Sequence, residues 1–272
     1  MIHESLSALA TQRIVVFVGL PATGKSLLVR ELARLAQSDG REVSLLQWDV
    51  ARPTFEAHPA AAPYPMLDSI TRPVIRRAVG LWSREAIAGW SANARPEALL
   101  VVEAPLVGWR LVELVQQADD AAEAALTSEA CRFVLPVPSA DVQRHILAER
   151  LRKAASPANA GEREEAPPTV LDAMWRLLVE ARQALGVFGS AAASAYDAAV
   201  YGAVYGRLAR HRRFEALPVD EVIDARGSAY EFDFPAQLLL PDGAAIERFI
   251  ALAAAEAAGR DEDAWLARWW DV

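Results

Sequence analysis

A continuous apolar, β-branched run, Arg13-Ile14-Val15-Val16-Phe17-Val18, leads directly into Gly19-Leu20-Pro21-Ala22-Thr23-Gly24-Lys25-Ser26, and a segment of helical periodicity follows. This junction constrains the fold more than any other feature of the chain. A strand without polar alternation is buried on both faces, as strands are inside a parallel sheet. Parallel strands need crossover connections, usually helices. Residues 25 to 38 supply the first: Leu27, Leu28, Leu32 and Leu35 fall at helical spacing, and Asp39-Gly40 closes the segment.

The alternation continues down the chain. Strands are expected at 42–48, 98–102, 132–137 and 214–219, with a short edge strand or extension at 230–234. Helices are expected at 72–92, 109–125, 139–155, 169–185, 194–211 and 243–258. Prolines at 53, 59, 63 and 65, with 73 beyond them, mark residues 51–67 as a loop, and the polar, proline-flanked stretch 156–168 reads as a flexible segment. The pattern predicts an α/β fold of three layers, α/β/α, around a mainly parallel five-stranded sheet. The expected organisation is one domain over residues 1–272, with a substrate-side insertion at about 51–97, a helical lid at about 139–168 and a helical C-terminal extension at about 220–272. The echo Val200-Tyr201-Gly202-Ala203-Val204-Tyr205-Gly206 puts both glycines on one helix face and both tyrosines on another, which reads as close helix packing.

Composition narrows the class. The 272 residues are 53% hydrophobic and 24% charged, enough for a sizeable core. A net charge of -8 disfavours a general polyanion-binding role, so nucleic acid is an unlikely partner. Cys131 is the single cysteine, reads as a small buried hydrophobe, and excludes an intrachain disulfide. No apolar stretch is long enough to span a membrane and the N-terminus lacks signal-peptide character, so a cytoplasmic protein is expected. His3, His58, His145 and His211 are scattered without metal-ligand spacing. Of the 28 basic residues only Lys25 and Lys153 are lysines. A chain that otherwise uses arginine thus places a compact ammonium on a flexible stem at position 25.

The 19–26 loop explains that choice. Gly19 and Gly24 let the backbone turn sharply around Pro21 and bring the N–H groups of Ala22 and Thr23 close to phosphate oxygens. The emerging helix adds its unpaired N–H groups, from Lys25, Ser26 and Leu27 onward, and the positive end of its dipole. Lys25 reaches the β- and γ-phosphates of a nucleoside triphosphate, and Ser26 offers a hydroxyl oxygen to Mg²⁺. ATP with Mg²⁺ is the expected cofactor, since no Asn-Lys-x-Asp guanine motif occurs.

With these residues the first 155 or so resemble the P-loop small-molecule kinases, a group that includes nucleotide kinases, gluconate-type kinases, chloramphenicol phosphotransferase and zeta-toxin-like proteins. The resemblance rests on the 19–26 loop, an acid after the second strand and an arginine-bearing helix after the fourth. It implies that Asp49 contacts the acceptor hydroxyl and takes its proton. Glu103, at the end of the third strand, stands where such proteins usually carry an aspartate; it acts on the metal, serves as base or positions substrate. Arg144 and Arg150 lie on the borders of an apolar helix face formed by Ile146, Leu147, Leu151 and Ala154. The resemblance implies a lid in which such arginines hold nucleotide (Arg144) and clamp the transferring phosphoryl group (Arg150); a solvated cationic face is the alternative. Arg52, Arg72 and Arg76 suit an anionic acceptor, or serve as surface charges.

Two functions compete. One is an ATP-dependent phosphotransferase acting on a small-molecule hydroxyl or phosphate. The other is an ATPase or nucleotide-switched binding protein, favoured by the size of the helical segment 169–272. Trp265, Trp269 and Trp270 either dock the last helix or form an oligomer contact.

Overall fold

The computed structural model describes residues 2–155, 168–187, 196–222, 235–261, 264–265 and 267–272. The expected 156–168 segment, apart from its last residue, and the expected strand at 230–234 lie outside the described residues. Strands β1 (Ile14–Val18), β2 (Val43–Gln47), β3 (Leu99–Ala104), β4 (Cys131–Pro138), β5 (Phe214–Val219) and β6 (Gln237–Leu238) form one sheet in the order β5-β4-β1-β3-β2-β6. Every pairing is parallel. The sheet has six strands rather than five. The sixth is two residues long, too short for any periodicity to announce it.

Nine α-helices lie among the described residues: α1 (Ile2–Leu9), α2 (Lys25–Ser38), α3 (Trp48–Glu56), α4 (Pro73–Asn93), α5 (Ala121–Thr127), α6 (Ala140–Ala155), α7 (Pro168–Ala184), α8 (Ala198–Leu208) and α9 (Gly243–Ala257). Their caps are local chemistry. Pro73 opens α4, where its missing N–H is harmless. Asp120, Asp197 and Asp242 accept backbone N–H groups at the starts of α5, α8 and α9.

Alternate residues of the strands feed two cores. Val15, Phe17, Leu45, Leu99 and Val101 pack under α1 and α2. Ile14, Val16, Val18, Leu46, Leu100 and Val102 pack under α3, α4, α5, α7, α8 and α9. The result is three layers, with the second helical layer much the thicker. Each of these strand residues is nearly or fully buried, a contribution of about 1.5–3 kcal/mol apiece. Trp265 and Trp269 are buried in the same second core, and Trp109 donates its indole N–H to the Trp265 carbonyl at 3.2 Å, so the C-terminal tryptophans dock inward. Cys131 is fully buried and its thiol is pushed up to about 12 by desolvation, in keeping with a hydrophobic role.

Three local expectations need correction. Residues 48–56 are helical, not a loop: Pro53 lies inside α3, and burial of Ala51 and Phe55 outweighs its missing hydrogen bond. Residues 109–125 are not one helix. Leu106, Gly108, Trp109 and Leu111 have positive φ, Val112–Leu114 is a single 3-10 turn, and α5 starts only at Ala121. The apolar face expected on α6 is not a core face, since Leu151 is exposed and only half-buried Ile146 and Leu147 accompany buried Val142. The unexpected α1 packs Leu6 and Leu9 against α2.

Candidate functional site

The carboxyl ends of β1, β2 and β3 carry three consecutive features. From β1 the chain enters the 19–26 loop. Gly19 extends the ladder by donating its N–H to the Ala104 carbonyl at 3.1 Å. The loop then passes through left-handed Ala22 (φ 60°) and Gly24 (φ 86°) into α2, which has no side-chain cap on its leading N–H groups. Lys25 is buried, and its Nζ donates to the Leu20 carbonyl at 2.7 Å; Thr23 Oγ1 donates to the same oxygen at 2.8 Å. Burial lowers the Lys25 ammonium to about 8, against the opposing attraction of Glu103 and Asp49. An ammonium held so reluctantly gains from an added anion.

From β3 comes Glu103, brought to the loop by register. Phe17 pairs with Glu103 on one side, and Gln47 pairs with it on the other. Ser26 Oγ donates to Glu103 Oε1 at 2.9 Å, and Gln47 Nε2 donates to Oε2 at 3.0 Å. Both carboxylate oxygens are therefore aimed. A hydroxyl and a carboxylate side by side are hard oxygen donors of the kind Mg²⁺ takes, so the residues present fit that ion. Among the described residues no group of three or more His, Cys, Asp and Glu side chains is assembled as a metal cage.

From β2 the chain turns into α3 without a loop, and Asp49 stands in the first turn. It keeps access to solvent, yet protein surrounds it closely enough that desolvation raises its carboxyl above the ordinary range. Glu103 adds to the rise, while Arg52, Lys25 and Arg150 oppose it. A carboxylate raised toward neutrality is a stronger base than a free one.

Helix α6 overlies the loop. Ile146 Cδ1 comes within 3.7 Å of the point where a Cβ on Gly24 would sit. One turn on, Arg150 is close enough to influence both Lys25 and Asp49. Arg144 and Arg152 point elsewhere: both are exposed and pair along their own helix, with Asp141 and Glu149. The structure thus brings Lys25, Ser26, Asp49, Glu103 and Arg150 together and leaves Arg144 outside.

The insertion arginines divide similarly. Arg52 pairs with Glu56 at 2.5 Å, and Thr71 donates to the other oxygen of Glu56 at 2.7 Å. Arg72 is half-buried as the residue preceding α4. Arg76 is buried, donating from Nε to Thr71 O at 2.7 Å and from Nη1 to Gly108 O at 3.0 Å.

Sequence reasoning missed four residues here. Gln47 lies within the expected strand 42–48, where nothing in the local pattern singles it out. Arg110 sat inside an expected helix. Tyr201 and Tyr205 were assigned to packing alone, but Leu20 N donates to the Tyr201 hydroxyl at 3.1 Å, and the Tyr205 hydroxyl donates to Pro105 O at 2.6 Å. Both tyrosines are fully buried, with ring centroids 5.0 Å apart. A Cβ on Gly19 would lie 2.1 Å from the Tyr201 oxygen, so glycine there accommodates a side chain from α8. Spacing of four did signal a shared face; no local pattern could name what that face meets.

Compared with models of known protein families and with curated proteins, the chain matches none. Among the described residues no helix is long and apolar enough to cross a membrane.

Proposed function

We propose that the 19–26 loop binds the phosphates of Mg·ATP and that the chain transfers the γ-phosphoryl group to a hydroxyl or phosphate of a small molecule. The observation that carries this reading is the convergence of a reluctant ammonium, a hydroxyl–carboxylate pair and a second carboxylate of raised basicity at one sheet edge. In open parallel sheets ligands bind at that edge. Lys25 leaves the Leu20 carbonyl for the phosphate oxygens, and the free N–H groups of α2 hold them from below. Ser26 and Glu103 would hold the metal, with Gln47 fixing the second Glu103 oxygen, and the ion would supply charge neutralisation to the phosphates. Asp49 orients the acceptor and accepts its proton as the acceptor oxygen bonds to the γ-phosphorus and the bond from that phosphorus to the bridging oxygen breaks, releasing ADP. Arg150 offers positive charge from the overlying helix.

The reading as a nucleotide-switched partner-binding protein draws support from the Tyr201 contact, which ties α8 to the loop. Against it, α7, α8 and α9 belong to the same core as the sheet. Acceptor-stimulated ATP consumption separates the two. With metabolite pools supplied, phosphotransfer predicts products heavier by one phosphate, and Asp49→Asn lowers transfer by about 10²–10⁴-fold while Mg·ATP still binds. Slow hydrolysis indifferent to every small molecule would point to the switch.

A further inference from the structure

We propose that the acceptor carries an oxyanion, a phosphoryl or carboxylate group, and that Arg110, with Arg76 beside it, grips that group while the acceptor's reactive oxygen faces Asp49. The inference rests on the phosphotransfer reading and assigns its substrate class.

Arg110 is only 5% exposed. Among the described residues its side chain makes a single hydrogen bond, Nη1 to Val107 O at 3.3 Å, and no carboxylate lies within ion-pair distance. A guanidinium presents five donors, so most of this one's capacity has no protein acceptor. Two other buried arginines, Arg84 and Arg212, are treated differently. Arg84 is held by Asp120 at 2.6 Å and Glu123 at 2.8 Å, and Arg212 by Glu123 at 2.8 Å. Arg84 and Arg212 are thus matched by carboxylates, and among the described residues Arg110 is not.

The surroundings raise the cost. Arg110 Nη1 and Arg76 Nη1 both lie within 3.5 Å of the point a Cβ on Gly108 would occupy. Burial, then Arg76, then Arg52 push the Arg110 guanidinium well below its ordinary range, and among the described residues Asp49, then Tyr205, pull the other way. A guanidinium resists deprotonation in proteins, so an external anion is what relieves this clustering. The planar fork of donors suits two oxygens of a carboxylate or phosphoryl group.

The arginine is also held rigidly. Leu106, Gly108, Trp109 and Leu111 all have positive φ in a loop that is buried throughout. Non-glycine residues in that region store strain that surrounding structure must hold. Here Trp109 is pinned by the Trp265 ring at 5.9 Å and by the Arg77 guanidinium 5.2 Å over its face. Such a loop delivers a cation to a defined point beside Asp49.

The test uses the full chain saturated with Mg²⁺ and a non-hydrolysable ATP analogue, which fills the 19–26 loop. Inorganic phosphate and, separately, acetate are titrated by calorimetry. The unaltered protein should bind at least one of them, and the arm that gives heat tells phosphoryl from carboxylate recognition. Arg110→Gln should weaken that binding tenfold or more, and Arg110→Lys several-fold, because a point charge replaces the fork. Melting of the ligand-free variants separates this role from a structural one: removing an uncompensated buried charge leaves Tm unchanged or raises it, whereas a structural arginine would lower it. If the analogue binds but neither anion does, or if Arg110→Gln binds them as tightly as the unaltered protein, the inference fails alone. If the analogue itself does not bind, the proposed function falls and takes this inference with it.

Discussion

The loops that leave β1 and β3 are neighbours built to one plan with opposite electrostatics. Each departs from the carboxyl end of a buried parallel strand, passes through residues of positive φ, and carries a buried cation, Lys25 in one and Arg110 in the other. Lys25 has company: the Leu20 carbonyl accepts from it, and Glu103 and Asp49 attract it. Arg110 has Arg76 and Arg52 as neighbours, with Asp49 opposing them. The first loop holds its cation by a hydrogen bond to its own backbone; the second has, among the described residues, no carboxylate within ion-pair distance of its cation. One lesson follows for reading such folds. A buried cation that the protein satisfies and one that it does not are different statements about ligands, even when burial is equal.

The largest expected effect breaks the first loop. Lys25→Ala should cost about 10²–10³-fold in ATP turnover and leave the ligand-free fold as stable or more so, because a desolvated ammonium is removed; coupled-assay kinetics and denaturant melts read both, and wild-type turnover in the variant would sink the nucleotide assignment. Next comes the support of the second loop. A Cβ on Gly80 would sit 1.8 Å from Glu113 Oε2, and Glu113 ties Arg77 at 3.0 Å beneath Trp109. Gly80→Ala should therefore destabilise by about 2–4 kcal/mol in urea unfolding, and a loss under 0.5 kcal/mol would show that the Glu113 anchor is dispensable.

The pH response distinguishes the two cations. Lys25 is lower in the folded protein, about 8, than the ordinary 10.5, so its desolvation penalty is fully present below pH 8 and is relieved as pH rises from there toward 10.5. Ligand-free stability should climb across that window by at most about 1.4 kcal/mol per pH unit, while Mg·ATP affinity falls as the ammonium is lost. Flat affinity between pH 7 and 9.5 would contradict the role of Lys25. The smallest effect concerns Tyr201→Phe, which removes the acceptor for Leu20 N. About 1 kcal/mol of stability and a few-fold rise in the KM for ATP are expected; an unchanged KM would mean that α8 holds the loop by packing alone.

Much of the sheet was legible because buried parallel strands are continuous apolar runs, and the ends of β1 to β5 fell close to where those runs stop. The 19–26 loop was legible because its chemistry is contiguous: glycines, lysine and serine must be adjacent to act together. Asp49 and Glu103 were legible because strand ends point to the sheet edge. Arg110 was hidden for the converse reason. Its role depends on the left-handed turn of residues 106–111, and that turn is held by Trp265, 155 positions further on than Arg110. Ala-rich, helix-favouring residues in 109–125 carried the local preference, and tertiary contacts overrode it. Gln47 is the milder case, since only the β2–β3 register makes it a neighbour of Glu103.

The hydroxyl of Tyr201 beneath Leu20 has a consequence for how the molecule is made. The 19–26 loop leaves the ribosome early, but one of its amides finds its acceptor only after α8 has been synthesised, some 180 residues later. A nascent or truncated chain that stops short of Ala198 has the whole glycine–lysine signature and lacks the buttress under it. Under the proposed function, the support of the nucleotide site is thus completed late in synthesis, once the segment carrying Tyr201 has met the loop.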